Sequence, residues 1–228
     1  MSNLELENLC IRVTKVYDWV TRQVDKDFTF NGTTGLSDLG FTSNGTPNDD
    51  PCALLDDGED FFVSVVPTDS EGNVIPLDDI ECREVGTRRD VFVEELDIEL
   101  QLVRIKKQGF FVIELREVED GPVVSVSEPV PFCIFENFLL CAPEGTDVVC
   151  HIFDFFGTGV VCCNNGSFLD LALTLTICQS IQVETDVKLE VEGRICRPRE
   201  DIIAPIVERV CPDIQFPPQC PEIFPPDH

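Results

Sequence analysis

The sequence predicts an all-β fold: an antiparallel β-sandwich or jelly-roll-like body with an N-terminal arm and a proline-rich C-terminal tail. Three observations carry this reading. From residue 61 onward, β-branched and aromatic runs of strand length follow one another, several alternating apolar with polar residues. Turns of three to five residues, rich in Gly or charge, separate them, so neighbouring runs pair as antiparallel hairpins. No segment demands a helix of ordinary length. A closed barrel is the alternative architecture for the same pattern.

The first 26 residues carry Ile11, Val13, Val16, Val20 and Val24, all β-branched, and are read as an extended segment, either an arm or the first strand. Residues 27–60, and above all NGTTGLSDLGFTSNGTPNDDPCALLDDGED at 31–60, have loop chemistry and are too long for a simple turn. The strands then begin. FFVSVV (61–66), DVFVEELDIELQLVRI (90–105), FFVIELREV (110–118) and PVVSVSE (122–128) are separated by turns such as KKQG and EDGP. PFCIFENFLLCA (131–142), DVVCHIFDFF (147–156), GVVCC (159–163) and residues 167–195 continue the series. In the last of these Val187, Leu189 and Val191 alternate with Lys188, Glu190 and Glu192, which gives one buried and one wet face. The body is thus 61–210, as one β domain or two sub-domains. The tail, CPDIQFPPQCPEIFPPDH at 211–228, holds six prolines and no glycine, so it is stiff, extended and unable to form a central strand.

Charge excludes whole classes of partner. With 43 acidic against 16 basic residues the formal net charge is −27, which repels phosphate backbones and anionic headgroups, so neither nucleic acid nor membrane insertion is expected. A hydrophobic content of 43%, with 17 Phe, is nevertheless enough apolar mass to fold. The skin is acidic and the interior greasy.

Twelve cysteines stand at Cys10, Cys52, Cys82, Cys133, Cys141, Cys150, Cys162, Cys163, Cys178, Cys196, Cys211 and Cys220. That density belongs to exported, oxidised proteins. The start of the chain, MSNLELENLCIRVTK, lacks the positive charge, apolar core and small-residue cleavage site of a signal peptide, and no 18-residue apolar run spans a bilayer. Oxidising chemistry and a cytosolic address conflict. Either the thiols bind metal, or the protein meets oxidant late, after its cell is gone.

No catalytic, cofactor or metal residue is assigned. Zinc sites favour C-x-x-C pairs or paired His, whereas this chain has no C-x-x-C and only His151 and His228. A tetrathiolate assembled from distant cysteines keeps a soluble, Cys-rich zinc module as the alternative. Cys150 and His151 are adjacent, so on a strand they point to opposite faces and form no catalytic dyad. Cys162 and Cys163 likewise take separate partners, since bonding each other requires a strained ring. DDGED at 56–60 lacks the calcium-loop spacing, and Asn31-Gly-Thr, Asn44-Gly-Thr and Asn165-Gly-Ser read as turns. Walker, G-x-G-x-x-G and G-x-S-x-G motifs do not occur. All twelve cysteines are therefore candidate disulfide formers. Cys10 and the tail cysteines Cys211 and Cys220 come first for bonds between chains, and Cys10, Tyr17 and Trp19 mark 1–26 as the candidate assembly arm.

Two stretches, CIRVTKVYDWVTRQVD at 10–25 and CQSIQVETDVKLEVEGRICRPRE at 178–200, together about a sixth of the chain, resemble the Cys-rich morphogenetic spore-coat proteins of endospore-forming Gram-positive bacteria. The K-V-Y-D-W-V and V-K-L-E-V-E-G-R-x-C patterns carry the likeness. It implies a non-enzymatic structural protein of the spore surface, in coat, exosporium or appendage. Such a protein is made in the mother-cell cytosol without a signal peptide and oxidised after lysis. The expected partners are further copies of itself and other spore-surface proteins, with no cofactor. By analogy with spore appendage proteins, whose jelly-roll subunits are linked by Cys-bearing N-terminal arms, Cys10 holds the corresponding place.

Overall fold

The structure, a computed structural model, describes residues 7–47, 49–54, 60–94 and 96–193. Tail residues 211–228, with Cys196, Cys211 and Cys220, lie outside these, as does most of the DDGED stretch. The chain divides into two units: Cys10–Leu189, and a second made from the two ends, of which Glu7–Leu9 and Glu190–Gly193 are described. The core and both disulfide bridges belong to the larger unit.

The fold is all-β and antiparallel, built as two sheets. The first has three strands in the order β1 (Glu7–Asn31), β11 (Ser167–Gly193), β10 (Asp147–Asn164). The second is organised around β7 (Ile98–Arg116). One edge of β7 pairs in turn with β6 (Arg89–Val93), β5 (Glu81–Glu84) and β4 (Phe62–Thr68). Its other edge pairs with β9 (Val130–Leu140) and then with β8 (Ser125–Val126), which leads on to the two-residue strands β2 (Thr42–Ser43) and β3 (Thr46–Pro47).

Alternation decides what is buried. On β11 the inward row Leu171, Leu173, Leu175, Ile177, Ile181 and Val183 is almost wholly buried, and on β9 Val130, Phe132, Ile134, Phe138 and Leu140 do the same from the opposite sheet. With Phe111, Ile113 and Leu115 of β7 these rows form two apolar clusters between the sheets. Two hairpins use the predicted Asn-Gly turns. Asn44-Gly45 and Asn165-Gly166 both have positive φ, at 47°, 80°, 52° and 72°, which suits the twist of flanking strands.

Several expectations need correction. KKQG is no turn: Lys106 to Gly109 run through the middle of β7, and a Cβ on Gly109 would lie 3.1 Å from the Phe132 ring, tighter than ordinary contact. The break comes earlier, near Asp97 (φ 53°), so the run 90–105 is two strands rather than one. Residues 147–163 are likewise one strand, not two. A Cβ on Gly157 would come within 2.7 Å of Val65, so this glycine lets β10 pack close upon β4. The loop-rich stretch also contains a helix, α1 (Gly32–Leu39), closed by left-handed Gly40, whose N–H donates to the Leu36 carbonyl at 3.0 Å. Its sequence GTTGLSDL has little helical propensity, and burial of Leu39 holds it. Strand β1 pairs with β11 of the same chain, so residues 10–26 lie in an edge strand of their own sheet, with Val24, Phe28 and Phe30 against the core.

Candidate functional site

The cysteines sort by strand face. Cys150 points inward on β10 and is bonded to Cys82 of β5, with a Cα–Cα distance of 5.8 Å, so this bridge crosses from one sheet to the other. Cys163, at the end of β10, is bonded to Cys52 in the turn Pro51–Leu54 at 5.7 Å. These bridges close separations of 68 and 111 residues. Long loops of this size constrain the unfolded chain by roughly 4–5 kcal/mol each when taken singly. His151, one residue on from Cys150, faces solvent with its Nδ1 3.1 Å from Asp78. Cys162, one residue before Cys163, is exposed and free.

Four cysteines, Cys10, Cys133, Cys141 and Cys162, are exposed free thiols, and Cys178 is a half-buried one. Cys133 lies on the outward face of β9 and Cys141 just past its end, eight residues on. At strand rise that separation is about 26 Å, far beyond the reach of a disulfide. The same face shows Phe135 and Leu139 to solvent, and the outward side of β10 shows Val149, Phe153, Phe156 and Val160 on the way to Cys162. A cleft of about 750 Å³ lined by Ile75, Ile80, Phe110, Phe132 and Cys133 adds an apolar recess beside one thiol. Exposed thiols thus stand among exposed apolar side chains.

Two thiols sit beside carboxylates. Desolvation and, next, Asp170, its cross-strand partner, push the Cys162 thiol up from its ordinary value. Cys178 is raised by desolvation and then by Asp154, its own partner across the strands. Both stay protonated to higher pH than a free thiol, which slows attack on disulfides.

The edges of the candidate arm are tied down. On β1, Asp18 accepts the Cys141 N–H at 2.8 Å, and Arg22 donates to the Asn137 carbonyl at 3.0 Å while its guanidinium lies 3.9 Å over the Phe138 ring. These contacts satisfy one backbone group on β9 and one just past its end that would otherwise stand open to another strand. Tyr17 is half-buried against the smaller core cluster with the Lys15 ammonium 4.3 Å from its ring. Trp19 is 62% exposed.

One cluster has no counterpart among the motifs of the sequence. Each of three neighbouring strands has a single polar residue interrupting its inward apolar row: Lys107 on β7, Glu136 on β9 and Gln179 on β11. The interruptions coincide in space. Lys107 Nζ donates to a Glu136 carboxylate oxygen and, at 2.5 Å, to Gln179 Oε1, and the Gln179 amide donates to that same Glu136 oxygen at 2.5 Å. Lys107 and Gln179 are fully buried. Burial pushes the Lys107 ammonium down from its usual value, opposed by Glu136. The only sequence signal is a set of breaks in period-two alternation at 107, 136 and 179, which acquire meaning once the register is known.

Among the described residues no three His, Cys, Asp or Glu side chains come together as a metal-binding group, and no helix is long and apolar enough to cross a membrane. The chain matches no protein-family model, no curated protein and no solved structure.

Proposed function

We propose that this protein is a non-enzymatic structural subunit of the bacterial spore surface that self-assembles, with other surface proteins, into a layer or fibre strengthened by disulfides. The observation that carries the reading is the division of labour among cysteines. Cys52, Cys82, Cys150 and Cys163 are bonded within the chain, while Cys10, Cys133, Cys141 and Cys162 are exposed, Cys133 and Cys162 on strand faces that also expose Phe, Leu or Val. Apolar contact brings copies together and a disulfide then locks them, which suits a protein that folds in a reducing cytosol and is oxidised afterwards. The spore address rests on the two resembling stretches, and a jelly-roll relationship to appendage subunits belongs to the same proposal.

Electron microscopy of the purified, oxidised protein, with and without thiol reductant, tests it. Ordered layers or fibres that weaken on reduction support the reading. Monodisperse protein carrying stoichiometric zinc, released by chelator with loss of structure, would favour a metal-binding module instead.

A further inference from the structure

The buried Lys107–Glu136–Gln179 cluster is more than an ion pair with an amide beside it. Lys107 Nζ sits 2.5 Å from Gln179 Oε1, and Cδ lies one carbonyl bond of about 1.2 Å beyond, so the nitrogen is within about 3.7 Å of that carbon. That is close to the separation at which a held nucleophile and electrophile react. One Glu136 oxygen contacts both Nζ and the amide nitrogen of Gln179, so it faces the atom that must lose a proton and the atom that must gain one.

We propose that Lys107 and Gln179 become joined by an intramolecular isopeptide bond, with Glu136 as the proton shuttle. The amine nitrogen of Lys107 attacks Gln179 Cδ. Glu136 takes a proton from Nζ and delivers it to Nε2, the Cδ–Nε2 bond breaks, and ammonia leaves. Amine and primary amide become a secondary amide plus ammonia, with no oxidant, metal or co-reactant required. Two features of the site favour the step. Burial favours the neutral, nucleophilic amine, since desolvation lowers the Lys107 pKa. The complete burial of Lys107 and Gln179 also excludes water, the competing nucleophile.

The bond would join β7 to β11 and so tie the two sheets beside the existing Cys82–Cys150 bridge, Lys107 being the register partner of Cys82. Unlike that bridge it survives reduction. The inference concerns the interior of one chain and stands whatever surface the protein occupies.

The test is the intact mass of the full chain, purified, fully reduced and denatured. The wild type is expected to be about 17 Da lighter than its sequence requires, the loss of one ammonia. A digest should yield one reductant-resistant branched peptide containing residues 107 and 179. The Lys107→Met and Glu136→Ala variants should both run at their full sequence masses. A wild-type chain at full mass overturns the proposal, as does a loss that persists in Lys107→Met. A loss of about 18 Da with residue 107 linked to 136 overturns it too, because that is water leaving a Lys–Glu bond. The wild-type mass decides the matter even where a variant fails to fold.

Discussion

Removing the cross-sheet bridge with a Cys82→Ala/Cys150→Ala double variant should destabilise the protein by an amount set by loop topology. The bridge closes 68 residues, and it lies wholly inside the 111-residue loop closed by Cys52–Cys163. Taken alone, a 68-residue loop gives about 4.4 kcal/mol of loop-closure stabilisation. With the outer bridge formed, the same two points are joined by two routes, 68 residues one way and 43 the other (111 − 68). Two routes in parallel act as an effective loop of about 26 residues, worth about 3.5 kcal/mol. Ala is the replacement of choice because both cysteines pack against apolar clusters, where a serine hydroxyl would be unsatisfied. In urea, with an m-value of about 2 kcal/mol/M, the midpoint should fall by about 1.8 M in the natural background. In a background already lacking Cys52–Cys163 the loss should be larger by about 0.9 kcal/mol, which a double-mutant cycle reads directly. A loss below about 1 kcal/mol, in protein whose bridges are shown to have formed, would refute the reasoning.

Three single side chains give further expected outcomes. Gly157→Ala places a Cβ 2.7 Å from a Val65 methyl in a buried contact, and chemical denaturation should show about 1–3 kcal/mol of destabilisation; an unchanged midpoint would mean the sheets do not approach as described. Alkylation of Cys162 should be slower at pH 7.5 than that of free cysteine and should rise over a higher pH range, because its raised pKa keeps the thiol protonated; Asp170→Asn should shift the profile back toward lower pH, and a profile matching free cysteine would contradict this. Trp19→Ser removes an exposed ring, so thermal stability should change by no more than about 0.5 kcal/mol while light scattering shows slower assembly; equal assembly rates would remove Trp19 from the interface.

How far the fold can be read from the chain depends on which forces set each element. Alternation along β9 is local and strong, and the Asn-Gly turns at 44–45 and 165–166 have a backbone reason, so these are legible, whereas the alternation at 187–192 gives no buried face, Leu189 being 45% exposed and Val187 and Val191 only half-buried. Glycine misleads. In KKQG and GTG it reads as punctuation, yet Gly109 and Gly157 sit inside strands, Gly109 beside its register partner Phe132 in the same sheet and Gly157 against Val65 of the opposite sheet, so the reason for each lies in a distant strand. Helix α1 is held by burial of Leu39 against residues distant in sequence, so its weak propensity conceals it. The cysteines are half legible. That Cys162 and Cys163 serve different faces is a consequence of period two, whereas the pairing of Cys150 with Cys82 needs the stacking of two sheets. The Lys107–Glu136–Gln179 cluster is spread over 72 residues and becomes a site only through register.

The central claim, that interior cysteines staple the chain to itself while outward ones staple it to its neighbours, is tested most directly by isotope-mixed disulfide mapping. Equal amounts of ¹⁴N- and ¹⁵N-labelled chain are mixed while reduced, oxidised together and digested without reductant. Peptides joining Cys52 to Cys163 and Cys82 to Cys150 should occur only as all-light or all-heavy pairs, whereas bridged peptides carrying Cys10, Cys133, Cys141 or Cys162 should include mixed pairs at about half of their total. Outward cysteines recovered as free thiols, or only in unmixed pairs, would contradict the account.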